Sequence, residues 1–206
     1  MSQLRVESDE KVLSDLFVKY GTDKGIWGYT PYYAALMGPA RFHVRRVLEV
    51  GICGYRDIPN NVVGASLFVW RDFFPNAMIF GVDIDRRFIF NDQDRIRTAQ
   101  VDAYDQDALH QVLVHFARTA GGHNDDPRFD MIVDDAVHDP APQIQLMNQL
   151  GEWMLPGGHY FMEDVGPYKL QDGDVIAGIM SQITGFTGVS AGLLPSKPEE
   201  LVIGVK

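Results

Sequence analysis

Arg46-Val-Leu-Glu-Val-Gly-Ile-Cys-Gly54 joins a short apolar run to a glycine turn, and Met78-Ile-Phe-Gly-Val-Asp83 repeats the run with an acid at its end. Short runs of this kind, bounded by turn residues and separated by stretches of helical periodicity, read as parallel strands with crossover helices. Ile96 to Val101, Phe129-Asp-Met-Ile-Val133 and His159-Tyr-Phe-Met162 continue the alternation downstream, and Leu201-Val-Ile-Gly-Val205 closes it. Helices are expected over 64–74, 85–91, 105–120, 140–154 and 173–184. The fold class is therefore α/β, a Rossmann-like, doubly wound and mainly parallel sheet. Upstream, Val12, Leu13, Leu16 and Phe17 recur at helical spacing after Ser8, a residue suited to cap a helix. Tyr20 to Pro39 then mixes glycine, proline and aromatics, a composition of turns and short helices. The expected organisation is one domain over 1–206, with an N-terminal cover over 1–40 and the sheet-bearing core over 41–206.

The composition narrows the function. Of 206 residues, 18 are Lys or Arg and 28 are Asp or Glu, a formal charge of -10 with no basic cluster, which disfavours nucleic acid and anionic lipid as partners. No apolar run is long enough for a membrane span and Met1 to Glu10 shows no signal-peptide pattern, so a cytoplasmic protein is expected. A single cysteine, Cys53, leaves no internal disulfide and no Cys-only zinc site.

Ligands of a doubly wound sheet bind beyond the carboxyl ends of its strands, and those ends are rich in glycine and acid here. Gly51 and Gly54 let the backbone turn tightly, and Asp83 stands where a ribose is commonly bound. The spacing G-x-x-G, followed by a detour over 55–64, is not the G-x-G-x-x-G of a dinucleotide site, and Glu49 would repel a diphosphate. A cationic, phosphate-free nucleoside cofactor, S-adenosylmethionine, fits better. Asp102 follows the third run, within reach of an adenine. The fourth and fifth runs end Asp134-Asp-Ala-Val-His138-Asp139 and Glu163-Asp164, with no Lys or Arg in either motif. Carboxylates converging on one sheet edge repel one another, and a hard divalent ion such as Mg²⁺ relieves this. His138 has the near-neutral reference pKa of a general base.

Together Tyr20-Gly-Thr-Asp-Lys-Gly25, Tyr29-Thr-Pro-Tyr-Tyr33, Leu48 to Tyr55, Gly64 to Trp70, Gly81 to Asp85, Asp134 to Asp139 and Pro156 to Val165 resemble the metal-dependent sugar O-methyltransferases of macrolide biosynthesis. The mycinamicin and macrocin type is the nearest, and the cephalosporin-tailoring enzymes are more distant. The resemblance implies a class I methyltransferase fold and a role in antibiotic biosynthesis. It also implies methyl transfer from S-adenosylmethionine to a hydroxyl of a sugar or other natural product. By motif, Asp135, Glu163 and Asp164 would hold Mg²⁺, and His138 would act as base. Glu49, Gly51, Gly54, Ser66, Asp83, Asp102 and Asp134 would line the cofactor site. Lys24, Tyr29 and Tyr33 would form a lid on the acceptor side. The chain departs from the family pattern at Ala136-Val137, where Gly-Ser is usual. A catechol or amine acceptor, a nicotinamide-dependent oxidoreductase and a non-catalytic cofactor-binding protein stay open, as does a homo-oligomer.

Overall fold

The computed structural model describes residues 7–52, 62–91, 94–118, 126–165, 173–194 and 200–206. Five parallel strands, β1 (Arg46–Val50), β2 (Met78–Asp83), β3 (Ile96–Gln100), β4 (Phe129–Asp134) and β5 (Met154–Met162), are extended by β7 (Glu200–Val205), antiparallel to β5, and by β6 (Gly188–Leu193), antiparallel to β7 and so running with the first five. Their order is β3-β2-β1-β4-β5-β7-β6, so the strand sequence reverses direction between β1 and β4. That switch point is where the crevice of such a sheet opens.

Alternation along the strands sends successive side chains to opposite faces, and both faces are buried. Val47, Met131, Val133 and Phe161 meet three N-terminal helices and α4 (Ala65–Phe73), whereas Leu48, Phe80, Ile132, Tyr160 and Met162 meet the helices of the other face. The latter are α5 (Gln106–Ala117), α6 (Pro140–Leu150) and α7 (Gly173–Ser181). The N-terminal helices are α1 (Asp9–Tyr20), α2 (Lys24–Trp27) and α3 (Thr30–Met37). Ser8 caps α1 by accepting from Lys11 N–H, and Gly21 at φ 72° ends it. Leu13 and Phe17 are the buried face of α1; Phe17 meets Trp70 edge-on, and Tyr33 packs between Trp70 and Phe161. Aromatics in the cover segment thus anchor it to the sheet.

Three expectations need correction. The helix expected over 85–91 is a single 3₁₀ turn, Arg86–Phe88, because Asp85 caps it and the chain then runs extended, with Phe90 N–H donating to Thr98 Oγ1. The helix expected over 140–154 ends at Leu150, and β5 starts at Met154, five residues before the apolar run; Pro156-Gly-Gly had hidden its first half. The closing strand has a partner, β6, whose Gly188-Val-Ser-Ala-Gly-Leu193 is too poor in bulky residues to announce itself. Among the described residues no helix is long and apolar enough to cross a membrane.

Candidate active site

The crevice at the switch point is one cavity of about 1330 Å³. Its floor begins at Gly51, directly after β1, where φ is +83° and an added Cβ would lie 2.3 Å from the Asp135 carbonyl oxygen and 2.9 Å from Ala136 Cα. Only glycine lets the ends of β1 and β4 pass this closely. Gly51 N–H donates to Val82 O of β2 and Asp135 N–H to Val50 O of β1, both at 2.9 Å, so the end of β1 is tied to β2 on one side and to β4 on the other.

Toward the β2 and β3 side, Asp83 accepts from Ile52 N–H at 3.0 Å and from Asp85 N–H at 2.8 Å while facing the cavity. Each carboxylate oxygen keeps lone pairs for a ligand hydroxyl. Asp102, also on the wall, accepts from Tyr104 N–H with one oxygen; the cap of α5 is Asp105. Ser66 lines the same end.

Glu49 and Asp134 lie beneath the cavity. Glu49 is fully buried and its Oε2 accepts from Trp70 Nε1–H at 2.8 Å. Ser66, like Trp70, holds this carboxyl down, and positions 66 and 70 share one face of α4. Burial pushes the Glu49 carboxyl above its usual range, with Lys24 pulling it down. Asp134 is also fully buried and accepts from the Tyr160 hydroxyl at 3.2 Å; burial lifts its carboxyl to about 7. Both acids support the crevice from behind rather than line it. The repulsion of a diphosphate by Glu49 therefore loses its footing. Gly54, with Cys53 and Tyr55, lies outside the described residues.

At the β4 and β5 side the acids gather. Asp135 Oδ1 is 3.0 Å from His138 Nε2, which is 3.8 Å from Asp164 Oδ2. Asp135, His138 and Asp164 can each place a ligand atom within 4.8 Å of the others. Both His138 (φ 51°) and Asp164 (φ 50°) adopt the left-handed backbone conformation, uncommon for residues with a side chain. Such strain, coinciding at two residues of one cluster, is a mark of functional geometry. It also brings His138 to Asp135 despite Ala136-Val137.

Glu163 faces inward. Its Oε1 accepts from the Tyr33 hydroxyl at 2.6 Å and its Oε2 is bound by Lys24, while Gln143 Nε2–H holds its backbone carbonyl at 2.8 Å. Burial lifts its carboxyl well above the usual range; Lys24 opposes this and Asp135 adds to it. The cluster the geometry brings together thus has His138 where motif resemblance suggested Glu163 as a ligand.

The largest departure from expectation is Lys24. Reading the two acidic motifs alone showed no cation, but the cover delivers one: Lys24 Nζ lies 2.7 Å from Asp135 Oδ2, against Glu163 Oε2 and 3.5 Å from Glu49 Oε1, and is 3% exposed. Burial works against its charge, yet Asp135, Glu163 and Glu49 overcome that and hold its pKa well above the ordinary value. Burial would likewise raise Asp135, but Lys24 and His138 outweigh it and hold that carboxyl at about 2. Tyr29 donates to Asp164 Oδ1 and accepts from Asp164 N–H at 3.0 Å. Tyr33 is fully buried. These three residues grip the acids; Lys24 and Tyr29 also line the cavity, whereas Tyr33 holds Glu163 from beneath it. Nothing in the sequence spacing signals the grip on Asp135 and Glu163, because it closes over 111 and 139 residues.

A glycine turn after β1, an acid after β2 and a crevice at the β1/β4 switch are those of a Rossmann-like nucleotide-binding fold, and the solved structures it matches place that fold in the class I methyltransferase type. Within that class the chain is similar to sugar O-methyltransferases of antibiotic biosynthesis. It is 35% identical over 156 residues to the mycinamicin VI 2''-O-methyltransferase of Micromonospora griseorubida, covering 74% of this chain and 36% of the relative. It is 34% identical over 155 residues to the 8-demethyl-8-(2-methoxy-alpha-L-rhamnosyl)-tetracenomycin-C 3'-O-methyltransferase of Streptomyces olivaceus, with the same coverage of each chain. Among solved structures it matches the MycE methyltransferase of the mycinamycin biosynthetic pathway, in complex with Mg, SAH and mycinamycin VI. The TM-score is 0.69 and the identity 25%, over 98% of this chain and 55% of that one. The chain spans about a third of the length of these curated relatives. No protein-family model matches it.

Proposed function

We propose that the chain is an S-adenosylmethionine- and Mg²⁺-dependent O-methyltransferase of the cytoplasm, acting on a hydroxyl of a glycosylated natural product. Residues 1–40 and 41–206 would form one catalytic domain. The observation that carries this reading is a single cavity with a glycine turn and ribose-type acid at one end and the Asp135, His138 and Asp164 cluster at the other. The relatives, each an O-methyltransferase of an antibiotic sugar, support it.

Both groups suit the residues present. The cavity runs along Gly51, Asp83 and Asp102 at the strand ends, which gives a nucleoside a wall of backbone and acid to bind against. Gly51, Ser66, Asp83 and Asp102 would hold the cofactor; Gly54, proposed with them, lies outside the described residues. The oxygens of Asp135 and Asp164, with Glu163 beside them, suit a hard divalent ion. When bound, S-adenosylmethionine would supply the sulfonium methyl, and Mg²⁺ held by Asp135 and Asp164 would supply Lewis-acid stabilisation of negative charge on the acceptor oxygen.

His138 is the base. Imidazole changes charge near neutral pH, whereas the hard ion prefers the oxygen donors around it. His138, whose Nε2–H donates to Asp135 Oδ1 at 3.0 Å, takes the acceptor hydroxyl proton on Nδ1, and Asp135 stabilises the imidazolium that results. Tyr29 fixes Asp164 from two sides, so the acid stays aimed at the cavity.

The test uses methyl-labelled S-adenosylmethionine with a rhamnosyl or macrolide-glycoside acceptor. Label should appear on a sugar oxygen, vanish with EDTA and return with Mg²⁺. Transfer indifferent to EDTA, or to nitrogen only, would overturn the proposal.

A further inference from the structure

Four carboxylates, Glu49, Asp135, Glu163 and Asp164, converge where β1, β4 and β5 end, and an ammonium arrives among them from the other end of the sequence. Asp135 turns Oδ2 to Lys24 and Oδ1 to His138. Glu163 turns Oε2 to Lys24 and Oε1 to Tyr33. Lys24 opens α2, and its ammonium lies 5.9 Å from the Tyr29 ring, whose hydroxyl bonds Asp164. The cover and the acid cluster are thereby one assembly, closed by Lys24.

We propose that Lys24 is a resident counter-ion of the acid cluster, which keeps Glu49, Asp135 and Glu163 together when no metal is bound, so that Lys24 and a divalent ion stabilise the same carboxylates in partial replacement of each other. The role of Lys24 is that of a positioning residue acting through Asp135 and Glu163. The coupling to the ion rests on the metal site proposed above. Its sign follows from charge: a fixed cation beside Asp135 offsets part of the repulsion that a divalent ion would otherwise relieve, and lowers the field that attracts that ion. Removing it makes the metal-free protein less stable and the ion more strongly wanted. A residue whose only task is packing has the opposite signature, since its loss loosens the ligands and weakens the metal.

The experiment is thermal unfolding and Mg²⁺ calorimetry of the whole chain, with and without EDTA, for wild type, Lys24→Met, Glu49→Gln and Lys24→Met/Glu49→Gln. Lys24→Met should melt below wild type in EDTA. Its Mg²⁺-induced rise in melting temperature should be about twice that of wild type, with Mg²⁺ bound at least as tightly. An equal or smaller rise with weaker Mg²⁺ binding would overturn the proposal. If Lys24→Met does not fold, the double variant decides, because Glu49→Gln removes an acid along with its cation. Recovery of folding supports the proposal, and failure to recover contradicts it. Should Mg²⁺ affect no variant, the metal reading falls while Lys24 is still judged by the cycle. A double-variant loss smaller than the two single losses together upholds the counter-ion, and an additive loss overturns it.

Discussion

Replacing Gly51 by alanine tests the join between fold and site. At φ +83° a side chain costs about 1–2 kcal/mol relative to glycine. The new Cβ would also lie 2.3 Å from the Asp135 carbonyl oxygen and 2.8 Å from its carbonyl carbon, both backbone atoms. Relieving such an overlap inside a packed region costs about 1–3 kcal/mol more. Retreat is blocked on both sides by the 2.9 Å bonds from Gly51 N–H to Val82 O and from Asp135 N–H to Val50 O. Gly51→Ala should therefore lose about 2–5 kcal/mol of unfolding free energy by urea titration. Because the displaced atoms belong to Asp135, Mg²⁺ and S-adenosylmethionine binding should weaken together in calorimetry. A loss below about 1 kcal/mol with binding intact would refute the reasoning.

Other perturbations separate support from chemistry. Trp70→Phe keeps the aromatic packing on Phe17 and Tyr33 but leaves buried Glu49 Oε2 without its indole donor, so stability should fall by about 1–3 kcal/mol in denaturant. His138→Ala should abolish methyl transfer while S-adenosylmethionine affinity, read by calorimetry, stays within about twofold, since the base meets the acceptor. Remote from the site, Lys19, Tyr20 and Arg71 outweigh partial burial and hold the Asp72 carboxyl at about 2, below the usual carboxylate range. A depressed folded pKa contributes stability that is present above about pH 4 and lost as pH falls toward 2. Asp72→Asn should remove about 1 kcal/mol of that acid-sensitive part, measured as a flatter stability profile between pH 4 and 2.

The parallel core was legible because its strands are continuous apolar runs, a pattern that burial on both faces imposes. The acids after those runs were legible for the same reason: a strand end is read directly from where its run stops. β6 was not, since Gly188 and Gly192 dilute its pattern and its pairing with β7 supplies what its own residues do not. Nor could the pairing of Lys24 with Asp135 and Glu163 be read, because those contacts are made across the fold; sequence placed it only on the acceptor side. The reversal at Glu49 is instructive. A charge at a strand end counted as facing the ligand, yet alternation along β1 places it on the face of Val47, toward Trp70 and the cover.

The central claim is that one cavity takes S-adenosylmethionine beside a divalent ion. The direct measurement is calorimetric titration of the protein with S-adenosylmethionine and, separately, with NAD, each with Mg²⁺ and again with EDTA. The account predicts binding of S-adenosylmethionine, none of NAD, and a Mg²⁺ signal that disappears in Asp135→Asn. Binding of NAD alone would contradict it, and a Mg²⁺ signal unchanged in Asp135→Asn would place the ion elsewhere.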